Sequence, residues 1–298
     1  MPGLQLAIGA AAAALLAAHP SPSPPTAAGA AGWGGASGGG GAEGEEAVPC
    51  TLERLERLDA ATFAREFSGR KPFILSAGGA DATLAHHGRA WAREALLEEF
   101  GAALVPVGTP ISREAVRTQA EVPLREYAEG LLEPPPVLSE EERQCRGPRG
   151  GWDGLYMFDR GGFFEANPAV MSRIRAPAFL RGDGATPAGG GLAWRGVFAL
   201  GAQGSGFPFH LHGDAYLELL TGAKRWSIYS MAEVGTPPGG YAESLPHSAW
   251  LRDVYAREFE GGNKGGHPPP LECVQRPGEI VCKSDLLCCE SLSRLQCH

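Results

Sequence analysis

Gly206-Phe207-Pro208-Phe209-His210-Leu211-His212-Gly213-Asp214 alternates apolar and polar residues around two overlapping pairs, His210-x-His212 and His212-x-Asp214. On a strand, residues two apart share a face, so either pair can offer two ligands to a single ion. Imidazole plus carboxylate makes up two-thirds of the 2-His-1-carboxylate set that leaves open positions on Fe(II). Residue type favours His212 with Asp214. His210 with His212 is the alternative pair. Both registers stand at this stage.

Downstream, Gly222-Ala223-Lys224-Arg225-Trp226-Ser227-Ile228-Tyr229 combines a turn glycine, two cations and an alternating strand. A Lys at the start of a strand beside a metal-binding strand suits the distal carboxylate of a dicarboxylate, which it meets as a point charge. Pro277-Gly278-Glu279-Ile280 reads as a turn leading into another strand. Working backwards, Gly196–Leu200 and Leu155–Phe158 are further short apolar strands between Gly- and Pro-rich turns. Ahead of these lie helical patterns. One is capped by Asp59 and runs to Phe67, a second covers Trp91–Phe100 with Gly101 as its stop, and a third covers Leu124–Leu132. Strands are expected at Phe73–Leu75 and Leu104–Val107. Helices first and short strands after predict an α+β chain, mainly β, whose second half is an antiparallel sandwich or barrel.

The 298-residue chain is divided unevenly. Gly (43) and Pro (25) reach about twice their ordinary share, and much of the excess precedes Cys50. Residues 1–18 include the apolar run Leu4–Ala18, of the length of a signal-peptide core, and are expected to act as a signal peptide or signal anchor. Residues 19–48 form a Gly/Ala/Pro-rich linker, since such a segment buries too little surface to offset its ordering entropy. A net charge of −8 argues against nucleic acid as a partner. The chain lacks apolar runs of the length a multi-pass membrane protein needs. Seven cysteines include an early group, Cys50, Cys145 and Cys273, of which two can pair in an oxidising lumen. The late group has no paired C-x-x-C, and a thiol-rich tail without zinc is expected there.

Taken in order, several segments resemble the JmjC family of Fe(II)- and 2-oxoglutarate-dependent oxygenases, in particular its endoplasmic-reticulum branch. They are Cys50–Glu53, Lys71–Leu75, Gly204–His210, Gly222–Trp226, Trp250–Asp253, Pro270–Cys273 and Gly278–Ile280. The resemblance implies a double-stranded β-helix (cupin-like) with N-terminal helices over residues 49–281. It also implies Fe(II) and 2-oxoglutarate as cofactors, Lys224 as the 2-oxoglutarate ligand, and His212, Asp214 and His210 as the candidate metal ligands. The family's next motif, aromatic residues and then the distal metal-binding His, is not matched. Val281-Cys282-Lys283-Ser284-Asp285-Leu286-Leu287-Cys288-Cys289 stands there instead. Residues 282–298 are therefore a Cys-rich tail foreign to the family pattern. The closing strands are expected to be missing, which would leave Gly222–Tyr229 beside an open sheet edge. The implied function is a secretory-pathway module of the endoplasmic reticulum lumen that regulates or binds protein partners with catalysis impaired. The alternative is a luminal protein hydroxylase.

Overall fold

The computed structural model describes residues 7–12, 50–111, 115–130, 156–181, 195–201, 205–212, 215–230, 237–238, 247–259, 266–283 and 287–294. Thirteen strands organise them. They are β1 (Ala7–Ala12), β2 (Glu53–Leu55), β3 (Phe73–Leu75), β4 (Leu104–Ile111), β5 (Ala115–Pro123), β6 (Tyr156–Asp159) and β7 (Arg195–Gly201). The series continues with β8 (Gly206–His212), β9 (Ala215–Leu219), β10 (Ala223–Ser230), β11 (Leu271–Gln275), β12 (Ile280–Lys283) and β13 (Leu287–Arg294). One sheet has the order β2-β3-β12-β9-β1-β7-β6-β4-β5, and a smaller one the order β11-β10-β13-β8. From β7 to β13 the chain crosses repeatedly between the two sheets. The mainly β, α+β class predicted from the pattern of short strands is the class observed.

Strand alternation explains where the core lies. Val281 of β12 pairs with Ile74 of β3 and with Leu217 of β9, giving an apolar row across the large sheet. This row faces Phe207, Trp226, Ile228 and Cys273 of the small sheet in a single buried cluster. The neighbours in sequence point the other way. Phe73, Leu75, Tyr216 and Cys282 form a second cluster with Phe67 and Phe179. Phe198, Leu200 and Met157 form a third with Leu96, Leu97 and Phe100 of the helix Arg93–Phe100. The large sheet is thus buried on both faces, which accounts for its strands reading as continuous apolar runs rather than alternating ones.

The helical expectations hold with local changes. Asp59 Oδ1 accepts from the Thr62 amide at 2.8 Å, so the cap is real, but after Ala60–Thr62 the chain widens into a π turn over Phe63–Phe67. Trp91 belongs to a 3₁₀ turn, Gly88–Trp91, and the α-helix itself begins at Arg93. Gly101 N closes that helix on Leu97 O at 3.0 Å. The third helix is described over Leu124–Gly130. At Gly278, φ is +80° and an added Cβ would lie 2.8 Å from the Cβ of Ala77, so glycine is required at the turn into β12.

One expectation about the end of the chain meets a different arrangement. The closing strands were expected to be missing, and one is present. β13 pairs antiparallel with β10 on one side and β8 on the other, so Gly222–Tyr229 does not border an open edge. The physical reason is that a gap between two strands is filled by backbone amides and carbonyls, which any extended segment supplies. Ala7–Ala12 lies inside the apolar run expected to be a leader. Its backbone runs parallel to both β7 and β9 and lies between them. Among the described residues, no helix is long and apolar enough to cross a membrane.

Candidate functional site

The interior of the small sheet is set by an irregularity in β8. His210 pairs with Cys289 of β13 and Phe207 with Ser291, so Pro208 and Phe209 together oppose the single residue Glu290. This is a β-bulge, and it resets the alternation of the strand. Pro208, which has no N–H to give the ladder, is suited to such a position. Phe209 turns outward to Trp250, ring centroids 4.9 Å apart, in a cluster with Tyr229 and Val254. His210 is turned back beside Phe207, with ring centroids 5.5 Å apart, and is buried.

A short hydrogen bond at 2.7 Å joins His210 Nδ1 to the Pro208 carbonyl. A carbonyl only accepts, so Nδ1 carries the proton and the lone pair lies on Nε2. Metal-binding histidines are oriented in this way. His212 ends β8 and its backbone is described, whereas its side chain and all of Asp214 lie outside the described residues. Among the described residues, no three His, Cys, Asp or Glu side chains are grouped to hold a metal. Across the ladder from His210–His212 stand Leu287, Cys288 and Cys289, none of which is an imidazole or a carboxylate.

Lys224 lies where the sequence placed it, at the start of β10, and is buried. It shares the inward face with Trp226 and Ile228 because the three are spaced by two. Its Nζ is 4.9 Å from the centre of the Trp226 ring. In the ladder, Ile228 shares its level with Cys289 and His210, while Lys224 pairs with Ser293. Lys224 is thus four residues from the His210 level, about 13 Å along the strand axis.

Two residues outside the sequence-based candidates complete the interior. Gln275, fully buried, donates from Nε2 to the carbonyls of Leu217 at 2.8 Å and Glu279 at 2.7 Å. Its Oε1 accepts from Trp226 Nε1 at 2.8 Å, fixing the indole plane. Lys283, at the end of β12, reaches the same ring, again 4.9 Å from its centre. The signal for Lys283 was present in Ile280-Val281-Cys282-Lys283, where alternation puts the lysine on the face of Val281. On the outer side of β10, Glu272 accepts from Arg225 Nη2 at 2.7 Å and from Tyr255 OH at 2.6 Å, clamping the strand to the helical segment behind it.

Away from this interior, Glu218 is buried on β9 and accepts from the amides of Thr83 at 3.0 Å and Leu84 at 2.7 Å. Burial pushes its carboxyl above the usual range, and the two amides pull the other way. Cys50 and Cys273 form a disulfide that ties the segment before β2 to β11. Arg54 covers it, with Nη2 3.6 Å from Cys273 Sγ, and pairs with Glu279. Cys145 lies outside the described residues.

No protein-family model matches the chain. Curated relatives do. JmjC domain-containing protein 8 of Homo sapiens is 32% identical over 241 residues, covering 78% of this chain and 75% of the relative. The proteins of that name from Rattus norvegicus and Mus musculus are 31% and 30% identical over 235 residues, each covering 78% of this chain and 74% of the relative.

Proposed function

Since this chain belongs to the JmjC domain-containing protein 8 family, we propose that it is a JmjC-like module of the secretory pathway, acting by binding protein partners rather than by turnover. The alternation of β7 to β13 between two facing sheets supports a double-stranded β-helix. The observation that carries the non-catalytic reading is the register of β13, which sets Cys289, not histidine, opposite His210. Lys224, inward and buried, suits a dicarboxylate such as 2-oxoglutarate. The Cys50–Cys273 disulfide and the apolar run Leu4–Ala18 support an endoplasmic-reticulum lumen, where such bridges persist.

The test is to supply the full chain with Fe(II) and 2-oxoglutarate and to measure bound iron and succinate. Substoichiometric iron and no succinate are expected. Stoichiometric iron with steady succinate release would reinstate the alternative, a luminal protein hydroxylase. One observation favours that alternative, the Nδ1–Pro208 bond, which sets the His210 proton on Nδ1 and its lone pair on Nε2. For the compartment, protease protection in sealed microsomes is expected, and digestion without detergent would refute it.

A further inference from the structure

The Cys50–Cys273 bridge is unequal at its two ends. Cys50 is exposed, just ahead of β2, whereas Cys273 in β11 is fully buried. Arg54 of β2 lies over the pair, with Nη2 3.6 Å from Cys273 Sγ and 3.9 Å from Cys50 Sγ. Its Nη1 is paired with Glu279, which anchors the guanidinium there. A neutral disulfide gains little from a nearby cation, but a thiolate gains a great deal. The guanidinium therefore sits where charge appears only when the bridge opens.

Access and leaving group decide how a disulfide exchanges. Of the two residues, Cys50 is the one that solvent reaches, so an external thiolate meets Cys50 Sγ and Cys273 is the sulfur that leaves. The residues next to each cysteine are joined independently of the bridge. Thr51 N donates to the Glu272 carbonyl at 2.7 Å, and Glu272 N donates to Thr51 Oγ1 at 2.7 Å. These bonds survive scission of the sulfur–sulfur bond and keep Cys273 beside Cys50.

We propose that Cys50–Cys273 is an exchangeable bridge through which the protein captures a cysteine thiol covalently at Cys50. The guest thiolate forms a bond to Cys50 Sγ as the Cys50–Cys273 bond breaks, and the bonding pair departs on Cys273 Sγ beside Arg54. No outside oxidant is consumed, because the guest sulfur is oxidised to a disulfide while Cys273 is reduced to a thiolate. Return attack by Cys273 on Cys50 Sγ expels the guest thiolate and restores the bridge. Arg54 stabilises the departing sulfur, and the Thr51–Glu272 bonds make the capture reversible by holding the two cysteines together. The proposal goes beyond the partner-binding reading and does not depend on it, since exchange is a property of the bridge whether or not iron or 2-oxoglutarate binds.

The experiment incubates the full chain with reduced glutathione or, separately, with a short peptide bearing one cysteine. Each reaction is quenched in acid, unfolded with N-ethylmaleimide and mapped by mass spectrometry. The guest is expected on Cys50 and the maleimide on Cys273. Capture of both guests assigns the site to cysteine thiols in general, and capture of one alone assigns it to that source. A guest on Cys273, or an adduct that forms only in denaturing urea, overturns the proposal. Arg54→Gln should slow capture about tenfold, by removing the charge that stabilises the leaving thiolate, and Arg54→Lys should keep most of the rate. A merely structural arginine would act in the opposite direction, since its loss would loosen the segment and speed exchange. An unchanged or faster rate in Arg54→Gln therefore refutes the role of Arg54. The mapping of the wild type tests the site whether or not the Arg54 variants fold.

Discussion

Replacing Gln275 with leucine isolates the polar link between the two sheets. The volume is nearly preserved, so the loss is that of three hydrogen bonds at a site with no solvent exposure. Trp226 Nε1 is left as a buried donor facing a methyl group, at a cost of about 1–3 kcal/mol. The carbonyls of Leu217 and Glu279 each keep a second lone pair, and losing one partner costs about 0.5–1.5 kcal/mol apiece. The expected destabilisation is therefore about 2–6 kcal/mol, a large part of the ~5–15 kcal/mol that holds a domain together. Urea denaturation followed by far-ultraviolet circular dichroism measures it. Because the indole donor is the largest contributor, Trp226→Phe in the Gln275→Leu background should cost about 1–2 kcal/mol less than in the wild type. A loss for Gln275→Leu below about 1 kcal/mol, or strict additivity of the two changes, would refute the role given to this amide.

Three further outcomes are expected. Reduction of the disulfide, or the double change Cys50→Ser with Cys273→Ser, should cost about 3–5 kcal/mol, because the bridge spans a long loop; an unchanged urea midpoint under reductant would refute this. Glu218 has a folded-state pKa above its ordinary 4.5, so the unfolded chain ionises first and stability falls as pH rises above 4.5 toward the folded value. The stability of the wild type relative to Glu218→Gln should therefore decline over that interval, and a rise would show that the amides of Thr83 and Leu84 outweigh burial. Asp59→Ala should cost about 1 kcal/mol through loss of its cap to Thr62; a change of less than a few tenths in the melting free energy would count against the cap.

What could be read from the sequence divides along physical lines. Strand positions were legible where apolar runs are short and bounded by Gly or Pro, as at Phe73–Leu75 and around Val281. Lys224 was legible because a cation at the head of an alternating strand keeps the face of Trp226. The β8 bulge was not, because two residues opposing one is a property of the partner strand, and nothing at Pro208-Phe209 states which strand that is. β13 was missed for a related reason. Cys288-Cys289 breaks alternation, and the segment is a strand because β8 and β10 flank it on both sides. Lys283 escaped because its significance arises only when the second sheet brings Trp226 to it.

The Cys50–Cys273 bridge also changes the topology of the molecule. With its ends 223 residues apart in sequence, it closes a covalent ring that contains β2 through β10 and part of β11. A single protease cut anywhere inside that ring yields a linear but still single molecule, and two pieces separate only when a reductant is added. During synthesis the ring cannot close until Cys273 has emerged, after every strand up to β10 has been made. The N-terminal segment thus stays untied while most of the domain is synthesised, and the last part of the chain decides when it is secured.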